Sequence, residues 1–91
     1  MKGMMESVQL GMVNGNTVFL RIMERFEADF HVHDSTDEMF YVISGEMVVD
    51  LPGHSVTLSE GESCTAPSGT RHRARVSVSA KAIVISRGLN A

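Results

Sequence analysis

Four histidines occur in this chain, at positions 31, 33, 54 and 72, and three of them fall into a pattern that chemistry can use. His31 and His33 are two apart, and in extended backbone residues i and i+2 project from one face, so both imidazoles can address a single ion. Glu38 follows across Asp34-Ser35-Thr36-Asp37, a run of short polar side chains that bond to their own backbone and favour a turn. A hairpin there returns Glu38 to the two histidines. His72 arrives from far along the chain, just after the turn at Pro67-Ser68-Gly69. Three imidazole nitrogens and one carboxylate oxygen suit a single divalent transition metal ion (Fe, Mn, Ni, Cu, Co or Zn). An ion with more than four coordination positions keeps one or two open for water or a small-molecule ligand or substrate.

The elements that must position these groups read as strands. Thr17–Phe26 is a long run of β-branched and aromatic residues, and Glu38–Ile43, Glu46–Leu51, Ser55–Leu58 and Glu62–Ala66 follow at short intervals. Ser44-Gly45, Pro52-Gly53 and Ser59-Glu60-Gly61 separate them as turns. After Pro67-Ser68-Gly69 come Arg71–Val78 and Lys81–Ser86, and the residues beyond Arg87 read as a loose tail. Helical periodicity is absent, so the chain is expected to be all-β, a sandwich or barrel.

The motif spacing carries a family resemblance. His31-x-His33, then Glu38 and Gly45, resembles the first cupin motif, and Gly61, Pro67-x-Gly69 and His72 resemble the second. The fifteen residues between Gly45 and Gly61 are similar to the short spacing of small microbial cupins. The resemblance covers roughly residues 25–86. It implies a cupin jelly-roll barrel (double-stranded β-helix), with His31, His33, Glu38 and His72 as metal ligands inside it. Some related sites use three histidines alone, which leaves Glu38 open as either a ligand or a base. Two positions depart from the pattern: Arg25 stands where the first motif has a glycine, and Val76 where the second has an asparagine. The family spans oxygenases, isomerases, lyases, binding modules and storage proteins, so the fold does not select a reaction.

Bulk composition narrows the rest. Ninety-one residues suffice for one domain, taken as 1–91 with a core of about 15–87. A net charge of −3 and a pI near 5.7 lack the basic footprint of a nucleic-acid binder. The single cysteine, Cys64, forms no intramolecular disulfide and fits a reducing compartment. Glu6 and Gln9 interrupt the first apolar residues before a signal-peptide core can form, and no stretch is long enough to cross a bilayer. A cytoplasmic location without membrane attachment is therefore expected.

Several residues have plainer readings. His54 follows Pro52-Gly53 at a hairpin tip and reads as a solvated loop histidine, and Cys64 reads as a small hydrophobe in its strand. If His72 faces the ion, Arg71, Arg73 and Arg75 form an outward stripe paired with nearby carboxylates. On Glu38–Ile43, Phe40 and Val42 share the Glu38 face, while Met39, Tyr41 and Ile43 take the other. On Thr17–Phe26, Val18, Leu20 and Ile22 make the cleaner apolar face, which turns Arg21 and Arg25 away from the core and leaves Phe19 and Met23 outside. The pocket is then apolar around the ion, with no further acid or base. Because both faces of Glu38–Ile43 are apolar, a homodimer covering the outer one is expected. The functional expectation is a metal-dependent enzyme on a small organic substrate, of sugar-acid, carbonyl or dioxygenase type. The alternative is a non-catalytic binding or sensing module.

Overall fold

The computed structural model describes residues 3–87, and the expected tail after Arg87 lies outside them. Seven strands run in chain order: β1 (Met4–Val13), β2 (Asn16–Glu27), β3 (Glu38–Gly45), β4 (Met47–Leu51), β5 (His54–Leu58), β6 (Ser63–Ala66) and β7 (Arg73–Arg87). No helix occurs among the described residues. Strand β1 was not anticipated from sequence. It pairs antiparallel with β2 through Asn14-Gly15, whose φ angles of 50° and 78° belong to the two-residue turn that matches the twist of a hairpin.

The architecture is a jelly roll organised around β7. One sheet has the order β1-β2-β7-β3-β6, and β4, itself paired with β5, joins the first residues of β7. Sequence suggested two strands where β7 is one continuous strand of 15 residues. Its Arg73–Arg75 segment pairs with β4 and its Ala80–Ser86 segment with β3, so one strand serves both halves of the barrel. Close approach of β3 to β7 depends on Gly45, which lies opposite Ala80 with φ 81°. A Cβ built there would meet the Ser79 carbonyl oxygen at 2.1 Å, which accounts physically for the glycine of the first motif.

Inward-facing side chains fill the barrel. Phe40 and Val42 from β3, Met47 and Val49 from β4, and Val76 and Val84 from β7 are all buried. The β3 alternation agrees with the sequence reading, since Tyr41 and Ile43 stay exposed on the other face. The β2 alternation is the reverse of the expected one. Thr17, Phe19 and Met23 are buried, Arg21 shares their face and lines the barrel cavity, and Val18, Leu20 and Ile22 are only half-buried. The larger rings and thioethers fill the wide interior better than the branched residues do, and this outweighs the cost of including an arginine. Arg25 is exposed, as expected, and its φ of 45° coincides with a register shift between Glu24 and Phe26.

The expected stripe of arginines is largely paired. Asp50 on β4 accepts from Arg73 Nε and Arg75 Nε, each at 2.8 Å, and from Ser55 at 2.6 Å. The Arg75 bonds above all hold the Asp50 carboxyl well below the usual carboxylate range, against the opposing effect of burial. Arg71 and Arg73 also lie over the Phe30 ring, 4.9 and 4.5 Å from its centroid.

Candidate metal centre

The four singled-out residues converge at one end of the barrel. Glu38 opens β3, whereas His31 and His33 sit in the irregular segment between β2 and β3 rather than in the strand end expected. His31 is nevertheless tied to His72 by a two-way backbone bridge, each N–H donating to the other's carbonyl at 2.9 Å. The Gly69 N–H donates to the His33 carbonyl at 2.8 Å, and the Ser68 N–H donates to Asp37 Oδ1 at 2.8 Å. The Pro67-x-Gly69 turn therefore clamps the histidine loop from both sides of its own bend.

The side-chain geometry brings four potential donor atoms together. Glu38 Oε1 lies 2.7 Å from His72 Nε2, 3.4 Å from His33 Nε2 and 3.7 Å from His31 Nε2. One donor atom from each of the four residues falls within 4.8 Å of all the others. Donors held at about 2.0–2.2 Å by one ion lie roughly 3–4.3 Å apart, so the set needs only small adjustments to enclose a metal. Glu38 and His72 are each 1% exposed, while the side chains of His33 and His31 are 17% and 39% exposed, which marks the open side.

Backbone carbonyls orient the rings. His31 Nδ1 donates to the Asp29 carbonyl at 3.0 Å, and His72 Nδ1 donates to the Thr70 carbonyl at 2.8 Å. In each case Nε2 is turned toward the common centre, the usual outer support of a metal-binding imidazole. Two buried atoms, His33 Nε2 and Glu38 Oε2, have no hydrogen-bond partner. Such groups are costly to bury unless something binds them, and both are ordinary metal donors.

Charge follows the same geometry. Burial pushes the Glu38 carboxyl up, but the hydrogen bond from His72 and the nearby His33 and Arg21 charges outweigh it, so the group lies below its ordinary value. Burial disfavours charge on His72, yet the bonds to Glu38 and Thr70 leave its pKa raised.

Beside the cluster lies a cavity of about 140 Å³, lined by Arg21, Met23, Phe40 and Met47 together with His31 and Glu38. That is room for about four to five water molecules at the liquid volume of roughly 30 Å³ each. Arg21 is the residue that sequence reasoning missed. Thr17 and Ser86 are also buried beside Glu38 in register, Thr17 opposite Ser86 and Ser86 opposite Glu38, with hydroxyls that lack a partner. His54 is exposed at its hairpin tip, and Cys64 is half-buried with a thiol pKa raised by burial, so neither joins the site.

Comparison with known proteins agrees with this architecture. Residues 18–86 match the Cupin domain family, and the chain belongs to it. An uncharacterized protein of Bacillus subtilis, YdbB, is 36% identical over 64 residues, covering 69% of this chain and 56% of that protein. The matched chain thus spans little more than half the length of that relative. A cupin-2 domain protein of Shewanella frigidimarina superposes with a TM-score of 0.81 at 26% identity, over 88% of this chain and 78% of its own. A predicted oxalate decarboxylase of Thermotoga maritima superposes with a TM-score of 0.82 at 19% identity, over 93% and 81% of the two chains, a likeness of fold.

Proposed function

We propose that this cupin is a metalloprotein that holds one divalent transition metal through His31, His33, Glu38 and His72 and acts on a small organic molecule in the adjoining cavity. The observation that carries the reading is the convergence of the four donors, two with buried and otherwise unpartnered atoms, at the wall of an apolar cavity. When bound, the ion supplies Lewis-acid or redox chemistry at its open position. The protein supplies rings held in the ligating orientation by the Asp29 and Thr70 carbonyls, and a largely apolar cavity wall beside them. A reducing, cytoplasmic setting suits this site and the single cysteine.

A non-catalytic binding module remains the second reading, and one observation favours it. Among the described residues, Arg21, His31 and Glu38 are the ionisable groups that line the cavity, so once His31 and Glu38 ligate the ion none of these is left as a separate general base. A homodimer is also part of the proposal. Among the described residues the outer face of β3 stays largely uncovered, with Tyr41 40% and Ile43 41% exposed.

Elemental analysis of the purified protein tests the metal assignment. About one transition metal per chain is expected, His72→Ala should lose most of it, and chelation should lower the melting temperature because the ion binds the folded state alone. A chain that carries no metal and takes none up from Fe, Mn, Co, Ni, Cu or Zn solutions would falsify the assignment.

A further inference from the structure

Three buried polar side chains beside the candidate metal centre stand in one line across the barrel wall. Thr17 on β2 lies opposite Ser86 on β7, Ser86 lies opposite Glu38 on β3, and Glu38 lies opposite Ala66 on β6. Thr17 is wholly buried, and Ser86 and Glu38 are each 1% exposed. Among the described residues, Thr17 Oγ1, Ser86 Oγ and Glu38 Oε2 have no hydrogen-bond partner.

Packing alone does not ask for such a row. Serine and threonine are mostly surface residues, and a buried hydroxyl without a partner costs free energy that a methyl group avoids. The neighbouring row on the inward face is Phe19, Val84, Phe40 and Cys64, which offers the hydroxyls no carboxylate or amide side chain. Ala66 likewise puts only a methyl group on the β6 flank of Glu38. Along these strands the polar side chains are left to satisfy one another. Directly opposed residues have Cβ atoms about 4.5–5.5 Å apart, so a turn about χ1 carries a hydroxyl toward the next side chain. Each hydroxyl has one proton to donate and can also accept. Ser86 can thus donate to Glu38 Oε2 while accepting from Thr17, which satisfies all three side chains at once.

The two oxygens of Glu38 face different partners. Oε1 lies 2.7, 3.4 and 3.7 Å from the Nε2 atoms of His72, His33 and His31, which makes it the oxygen turned to the ion position. Oε2 is left to the hydroxyl row. A carboxylate that ligates through one oxygen can swing about its last bond unless the other oxygen is fixed, and such outer support governs metal affinity by about 10- to 100-fold.

We infer that Ser86 and Thr17 are positioning residues of the metal centre: Thr17 donates to Ser86, Ser86 donates to Glu38 Oε2, and the chain holds Oε1 toward the ion. The inference rests on the metal assignment above. It adds two residues outside the ligand set and gives Glu38 the part of a ligand rather than a base.

Competition against a chromogenic chelator measures how tightly the metal-stripped protein holds Zn(II), Co(II), Ni(II), Mn(II), Fe(II) and Cu(II). Ser86→Ala should weaken the ions that the parent takes up by about 10- to 100-fold. Thr17→Val keeps the side-chain volume and should weaken them less, because it acts through Ser86. Added to Ser86→Ala it should cost nothing further, as residues in one chain of hydrogen bonds do not act independently. Thr17→Ser keeps the hydroxyl and should hold the ions as the parent does. Thermal unfolding of each metal-free variant checks that the barrel is intact, and Thr17→Val carries the test if Ser86→Ala does not fold. A parent that takes up none of these ions overturns the metal assignment and this inference with it. A folded Ser86→Ala or Thr17→Val protein that holds them as tightly as the parent overturns the positioning role alone. So does an equal loss from Thr17→Ser and Thr17→Val, which marks packing rather than the hydroxyl, or an additive loss in the double variant.

Discussion

Replacing Arg25 with glycine should stabilise this protein, although it deletes a whole side chain. Arg25 sits at φ 45°, in the left-handed region, where the register of β2 against β7 slips between Glu24 and Phe26. For a residue with a Cβ this conformation costs about 1–2 kcal/mol. Glycine is free of that cost but loses about 0.5–1 kcal/mol through the greater entropy of its unfolded chain. The diagnostic quantity is the gap between Arg25→Gly and Arg25→Ala, because both remove the exposed guanidinium and only one relieves the backbone. That gap should be about 1 kcal/mol, or about 4–8 °C in melting temperature for a domain of this size. Circular dichroism melts of the three proteins at one metal loading measure it. Equal melting temperatures for the two variants, or a lower one for glycine, would refute the reasoning. The experiment also bears on the family motif, which has glycine at this position.

Two further outcomes follow from other parts of the fold. Asp50 has a depressed pKa in the folded state, so its contribution is complete above the unfolded value near 3.9 and is lost as pH falls through the folded one. Thermal stability should therefore fall on acidification below about pH 4, and Asp50→Asn should flatten that fall while costing about 1–2 kcal/mol at neutral pH, the low end because Arg75 is more than a third exposed. A parent protein and variant with parallel acid profiles would contradict this. Light scattering at micromolar concentration should give about twice the single-chain mass of 9.9 kDa, and Tyr41→Glu should halve it without changing metal content; a parent mass near 9.9 kDa excludes the dimer.

Strands β3 to β6 were legible because glycine- and proline-containing turns punctuate them and because a buried face alternates with an outer one. The convergence of His31, His33, Glu38 and His72 was legible for a related reason: their spacing is tied to the same turns. Strand β1 was hidden because Met4-Met5-Glu6-Ser7-Val8 has no clear apolar alternation, and its best signal lay outside it, in Asn14-Gly15. The facing of β2 was misread because Val18, Leu20 and Ile22 form the purer apolar set. The interior instead takes Phe19 and Met23, and accepts Arg21 because Glu38 stands across the cavity. That compensation is long-range and has no trace in local pattern. The same limit joined Arg73–Arg87 into one strand where sequence suggested two.

The dependence of both halves of the barrel on β7 also governs how the protein comes into being. Asn16–Glu24 pairs with Ser79–Arg87, and Glu38–Val42 with Ala82–Ser86, so each pairing closes a loop of tens of residues. Folds dominated by such distant pairings cross their barrier in milliseconds to seconds rather than microseconds. A ribosome makes β7 after every strand it joins, so β2, β3 and β4 leave the exit tunnel with their hydrogen-bonding edges still open. The candidate metal cluster shares that timing: His31, His33 and Glu38 are synthesised early, whereas His72 arrives at the threshold of β7, so the four side chains can meet only once that strand is made.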